Sequence, residues 1–244
     1  TRSLLQIAKQ PVYVVAVVCG ATGYGIMNLL MTSTPLAMGL HGHAFGAAAG
    51  VTSAHVVAMY APSLVSGRLI GRIGARAGMT AGALLMLACV AIASAGQDVM
   101  HYWWGLVLLG IGWNFLFIAG TTLLPSTHHE ENRFKAQSIN DLTVFSFQAI
   151  AALSAGWALQ LIGWQQMVLL CLVPVAIMLL VLIWERIRAE RTALQIERYW
   201  AAKGVTVTTR LVREDPSHPD DPEDSRNYQR GVGVRTNLVG GKPA

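Results

Sequence analysis

The stretch "GRLIGRIGARAG", residues 67–78, sets three arginines among four glycines with no acid to balance them, and long apolar runs flank it on both sides. Glycine lets a backbone turn tightly because it has no Cβ to clash, and arginine keeps its charge in any protein environment. A charged, flexible comb between two oily runs reads as a short turn held at a bilayer surface, with the chain entering the lipid on either side of it.

Composition extends that reading. Charged residues make up 13% of the 244-residue chain and apolar types 53%, with a mean hydropathy of +0.46, whereas a soluble domain carries roughly 25% charged residues. Residues 1–184 hold seven Lys or Arg and four Asp or Glu, against eleven and nine in residues 185–244. Residues 1–190 are therefore read as a transmembrane bundle and 191–244 as a cytoplasmic tail. The basic balance belongs to a membrane surface, and no nucleic-acid partner is expected. The three cysteines, Cys19, Cys89 and Cys171, sit singly inside apolar runs and read as small core hydrophobes.

Six apolar segments recur, at residues 12–31, 47–70, 79–96, 102–124, 142–162 and 167–184. Each is about 20 residues, the length a helix needs to cross a bilayer. Transmembrane strands alternate apolar and polar residues, and these runs do not. Lys and Arg stand before span one (Arg2, Lys9), between two and three (Arg68, Arg72, Arg76), between four and five (Arg133, Lys135) and after six (Arg186, Arg188, Arg191). The other connections, "GLHGHAF", "QDVMH" and "GWQQ", contain neither residue. By the positive-inside rule the chain is a multi-pass protein of the inner (plasma) membrane with both termini cytoplasmic. The opening stretch lacks the order of a signal peptide, and the chain is expected to begin within a longer protein.

Spans one and four share punctuation: "GYGIMNLLMTSTP" (23–35) beside "GIGWNFLFIAGTTLLP" (110–125), each with Gly-x-Gly, an asparagine, a hydroxyl cluster and a proline. Spans three and six are the oiliest. Two units of three helices follow, and an odd-numbered unit repeated once must be inverted in the membrane, as in transporters; chance likeness between glycine-rich helices is the alternative. Polar side chains are costly against lipid, so spans one, two, four and five, which carry them, are expected to line a cavity, with three and six as outer braces. The candidate solute-facing residues are Asn28, Thr32, His55, Tyr60, Trp113, Asn114 and Gln148. Asn28 and Asn114 suit either solute contact or helix–helix hydrogen bonding. His55 suits either proton coupling or an interior hydrogen bond. Asp141 suits either a helix N-terminus or proton carriage.

With these residues in hand, the chain resembles the carboxy-terminal half of a major facilitator superfamily transporter. That family has a cytoplasmic loop of the form G-x-x-x-D-R-x-G-R-R after the second helix of a bundle, and Gly67, Arg72, Gly74 and Arg76 match it, while Gly71 stands where the acid belongs. The resemblance covers about residues 1–190. It implies a six-helix half-bundle, a small-molecule substrate moved by alternating access, and an amino-terminal six-helix bundle that these residues do not contain; the coupling ion is left open, and protons as that ion would need acids from the absent bundle, since no carboxylate lies deep in any span. Glu130, Glu131 and Asp141 are the expected partners of the arginine loop, in pairs that form in one conformer and break in the other; the alternative is that the arginines only fix topology.

The tail reads as a helical continuation stopping at Gly204, followed by a hairpin of "VTVTTRLVRE" and "YQRGVGVRTNLV". The fold class expected is thus an all-α membrane protein with a 3+3 inverted-repeat bundle and a small cytoplasmic α+β tail. The second functional reading is a non-transporting six-span scaffold whose tail binds a partner. Enzyme activity is not expected: no histidine follows His129 in the membrane part to serve a serine such as Ser154. His41, His43, His128 and His129 lie in loops without metal-ligand spacing, so no metal or cofactor is expected.

Overall fold

The computed structural model describes residues 10–123, 133–202, 207–211 and 234–238. Seven helices carry the described apolar part: α1 Pro11–Leu40, α2 Phe45–Tyr60, α3 Ser63–Ile73, α4 Ala75–Ala95, α5 Val99–Leu123, α6 Arg133–Leu170 and α7 Leu172–Ala201. Pro11 opens α1 where its missing N–H costs nothing, because the first turn of a helix has no acceptor for it. Two short strands, β1 Val207–Leu211 and β2 Val234–Leu238, pair antiparallel with Val207 opposite Leu238.

Among the described residues, four helical stretches are long and apolar enough to cross a bilayer: Pro11–Leu40, Ala75–Ala95, Val99–Leu123 and Phe134–Ala201. The pair α2 and α3 makes a fifth if it is taken as one bent span. The second expected span is therefore not a single straight helix. It bends by 43° at Ala61 and Pro62, where proline has no N–H to offer the carbonyl of Ala58 one turn back.

The expected loop "GWQQ" is also absent as a loop, since helix runs through it apart from Gly163, at φ 75°, ψ 169°. That conformation is essentially open to glycine alone. A straight helix of the 68 residues from Phe134 to Ala201 would be about 100 Å long, some three times the ~30 Å hydrocarbon core. The contacts on either side of Gly163 show that the chain turns there. Before it, Tyr13 Oη donates to Ala136 O (3.0 Å) and Ser33 Oγ to Ala155 O (3.3 Å), so α6 runs parallel to α1. After it, Trp164 Nε1 donates to Ala93 O (3.0 Å) and Glu185 pairs with Arg76 (2.8 Å), so the chain from Trp164 through α7 runs antiparallel to α4.

Two ends of the bundle emerge. One gathers His41, Ala93, Tyr102 and Trp164; there His41 Nδ1 lies 2.6 Å from Tyr102 Oη, and the Tyr102 and Trp164 rings are 4.9 Å apart. The other, the arginine end, gathers Tyr13, Arg76, Ala136 and Glu185.

Small residues set how closely the helices approach. Where α4 crosses α5, a Cβ on Gly82 would sit 2.9 Å from Gly112 O and 2.8 Å from Leu116 Cγ. Packing of this kind, and not a hydrophobic force, drives helix association in lipid. Leu30, Met38, Met79, Met86, Leu106 and Met167 fill the centre, while Val56, Leu153, Trp157 and Ile177 stay exposed on the outside. Helices that are apolar all round in this way suit lipid surroundings. The boundary drawn at residue 190 falls inside α7, where Ala189 and Ala193, one turn apart, are buried on one continuous face.

Candidate functional site

Tyr24, flanked by two glycines on α1, stands at the centre of an aromatic cluster. Its ring meets Trp113 (5.2 Å), Phe145 (6.2 Å) and Phe117 (6.3 Å) edge-on, the geometry that matches a ring's positive edge to its neighbour's negative face. Trp113 and Phe117, one turn apart on α5, stack at 5.1 Å, and Tyr60 from the end of α2 closes on Trp113 at 6.1 Å. Trp113 is only 4% exposed, whereas Phe145 is 55% and Tyr60 61% exposed. The cluster is anchored in the core at Trp113 and presents bare ring faces outward.

Beside Tyr24, Phe117 and Phe145 a cavity of about 300 Å³ opens, with Gln137, Asn140 and Asp141 on its polar side. Asp141 Oδ1 accepts from Gln137 Nε2 (2.7 Å) and Asn140 Nδ2 (3.1 Å). Bare aromatic faces with a few convergent polar groups are the composition of a small-molecule site.

The seven expected solute-facing residues divide. Tyr60 and Trp113 belong to the aromatic cluster. Asn28 is half-buried, and its Nδ2 donates to Tyr24 O (3.0 Å) and contacts Met27 Sδ (3.7 Å). Thr32 is exposed. Gln148 is half-buried, and its Oε1 is sealed from solvent with no partner among the described residues, as is Trp113 Nε1.

Asn114 faces the broken helix, and His55, on its first half, faces α5. Asn114 Nδ2 donates to Met59 O (2.8 Å) and Ser63 Oγ (2.6 Å), and its Oδ1 accepts from Ser66 Oγ (2.7 Å). The amide thus spans the break, satisfying backbone and hydroxyls that the bend leaves without their helical geometry. One turn earlier, a Cβ on Gly110 would lie 2.8 Å from His55 O and 3.0 Å from Met59 N. A further turn back, His55 Nδ1 lies 2.7 Å from Leu106 O, while its buried Nε2 has no partner among the described residues. Three successive turns of α5 therefore grip α2 at its bend.

At the arginine end, Gly74 turns the chain at φ 91°. Gly67 faces open space, and Arg72 is exposed. Arg76 makes a bidentate pair with Glu185, Nε to Oε2 at 2.9 Å and Nη2 to Oε1 at 2.8 Å. Of the expected acidic partners, Asp141 is engaged with Gln137 and Asn140, and Glu130 and Glu131 lie outside the described residues. Sequence reasoning missed Glu185, Tyr24, Phe117, Phe145, Ser63 and Ser66. Glu185 had a signal, as the first acid after the sixth apolar run. The aromatic residues had only their helical spacing.

Comparison with known proteins identifies the family. The model of the Major Facilitator Superfamily matches residues 13–218. The riboflavin transporter RfnT of Brucella anthropi is 39% identical over 182 residues, 75% of this chain and 46% of that protein. The MFS-type transporter YdeG of Bacillus subtilis is 38% identical over 162 residues, 62% of this chain and 37% of that protein. A second such transporter of the same organism, YddS, is 39% identical over 132 residues, 53% of this chain and 30% of that protein. The chain spans less than half the length of each of these relatives.

Proposed function

Because the chain belongs to the Major Facilitator Superfamily, we propose that it is the carboxy-terminal half of a secondary transporter that moves a small organic solute by alternating access, paired with an amino-terminal six-helix bundle. It is a multi-pass membrane protein, not an enzyme. In this reading α1, the bent α2–α3 pair, α4, α5, α6 up to Gly163, and α7 make six crossings arranged as an inverted 3+3 repeat. The alternating directions of the contacts support it: α6 parallel to α1, and the chain from Trp164 through α7 antiparallel to α4. The arginine end faces the cytoplasm of an inner membrane, with both termini on that side, because Arg68, Arg72, Arg76, Arg186 and Arg188 cluster there while "GLHGHAF" and "QDVMH" carry no Lys or Arg.

The solute in this reading has a flat heteroaromatic ring, of the kind named for the Brucella anthropi relative. The observation that carries it is the aromatic cluster around Tyr24, whose exposed Phe145 and Phe117 border the cavity closed on its polar side by Asp141. A ring stacked on those faces gains roughly 0.5–1.5 kcal/mol per aromatic pair beyond area burial. Coupling to protons then falls to Asp141 or His55, or to acids of the amino-terminal bundle. The test is uptake of riboflavin into proteoliposomes holding the protein as its gene encodes it. Saturable uptake that excess unlabelled riboflavin suppresses supports the reading. Uptake no faster than in empty liposomes, from protein that is folded and correctly inserted, refutes it.

A further inference from the structure

Arg68 and Arg72 stand one turn apart on α3, on the face opposite the buried Ser66 and Ile70. Both are exposed, and among the described residues neither meets an acid. Gly67 and Gly71 beside them leave open space where a side chain would otherwise stand. Arg76, the third tooth of the comb, turns instead to Glu185, whose side chain is only 5% exposed. That pin ties the arginine turn to the start of the polar part of α7, where Arg186, Arg188 and Arg191 are exposed. Glu190 answers one of them, at 3.1 Å from Arg186. Among the described residues, six arginines and two acids lie on the two stretches that this pin joins, a concentration of like charge that calls for an anion.

The surroundings say what sort of anion. On α3 the arginines adjoin exposed Leu64, Val65 and Leu69, and on α7 they adjoin exposed Leu180, Ile183 and Ile187. Trp184, 44% exposed, lies under the Arg188 guanidinium at 5.5 Å from ring centroid to Cζ, and tryptophan is the residue that settles at headgroup depth. A free phosphate would satisfy the guanidinium groups and leave the apolar faces bare. A molecule with a phosphate at one end and hydrocarbon behind it matches both.

We propose that this corner binds an anionic phospholipid, its phosphate held by Arg72 and Arg188 with Arg68 alongside, and its chains lying on the apolar faces of α3 and α7. Arg76 and Glu185 hold the arginine turn against α7 and leave the lipid to the others. The proposal needs only that this end of the bundle meets a leaflet, so it stands apart from whichever solute is carried.

The test is native mass spectrometry of the purified protein with equimolar phosphatidylglycerol and phosphatidylcholine of matched chains, with glycerol 3-phosphate as competitor. Each arginine near an anionic surface is worth roughly a factor of five in binding. The protein should retain phosphatidylglycerol over phosphatidylcholine, and the Arg72→Gln/Arg188→Gln double variant should lose on the order of tenfold of that preference while eluting as the parent does. Arg68→Gln alone, a milder change, should give a smaller loss in the same direction. Equal retention of the two lipids by the parent would overturn the proposal, and so would a double variant that keeps the full preference. Displacement of the lipid by millimolar glycerol 3-phosphate would reassign the corner to a soluble phosphate and overturn it as well.

Discussion

Arg76 and Glu185, 109 residues apart in sequence, meet in a bidentate ion pair that ties the turn between α3 and α4 to the point where α7 leaves its apolar stretch. The carboxylate is almost fully buried and the guanidinium about a quarter exposed. Fork-to-fork geometry of this kind is among the stronger polar contacts a protein makes, and losing one partner leaves the other desolvated without compensation.

Glu185→Ala is therefore expected to lower stability by about 1–3 kcal/mol, the exposed side of Arg76 keeping the loss below that of a wholly buried pair. The measurement is thermal unfolding in detergent. Arg76→Ala should cost a similar amount, and the double variant less than the sum of the two, since the interaction can be lost only once.

The bend between α2 and α3 yields a prediction of its own. Asn114→Leu removes the amide that serves Met59 O, Ser63 and Ser66, leaving buried polar groups unpaired at about 1–3 kcal/mol each. Asn114→Asp keeps one acceptor for Ser66 and loses the donors, so it should also destabilise. Unfolding of both variants below the parent temperature, by fluorescence in detergent, is the expected result.

Two glycines on α5 should respond with opposite signs. Gly110→Ala drives a Cβ to 2.8 Å from His55 O and 3.0 Å from Met59 N, atoms of a backbone that cannot yield cheaply, and is expected to destabilise by about 1–3 kcal/mol. Gly120→Ala meets nothing within 4 Å, so the helix propensity of alanine should raise stability by about 0.5–1 kcal/mol. Side-by-side melting of the two variants checks this.

The aromatic cluster separates solute contact from fold. Phe145→Ala removes a ring that is more than half exposed, so its effect on stability should be small. Its loss from the cavity should weaken riboflavin binding by about tenfold, read by quenching of flavin fluorescence, since one aromatic contact is worth up to about 1.5 kcal/mol. Trp113→Ala, which removes a buried ring, should lower stability as well.

Much of this architecture was legible before any coordinates. Apolar runs and the one-sided spacing of arginines are written along the chain, so the membrane character and the arginine turn could be read locally. Pro62 carried the signal for the bend, but an apolar run continuing on both sides concealed it. The polar "GWQQ" reads as a loop in the sequence, whereas a single glycine at positive φ, Gly163, suffices for the turn. The partners of Asn114 and Arg76 could not be read, because they lie 48 to 55 and 109 residues away and nothing local specifies them. Tyr24 escaped notice for a related reason: a lone tyrosine in an apolar helix looks like core until the rings of α5 and α6 close around it.

Six crossings with the arginine end in the cytoplasm fix which side of the membrane a single cysteine meets. In a background where Cys19, Cys89 and Cys171 are replaced by alanine, Asp98→Cys, Gln166→Cys, Ala77→Cys and Glu190→Cys each present an exposed position. A membrane-impermeant maleimide applied to intact cells should label positions 98 and 166 and reach 77 and 190 only after the membrane is opened. Labelling of position 77 in intact cells, or of 166 and 190 from the same side, would contradict the account.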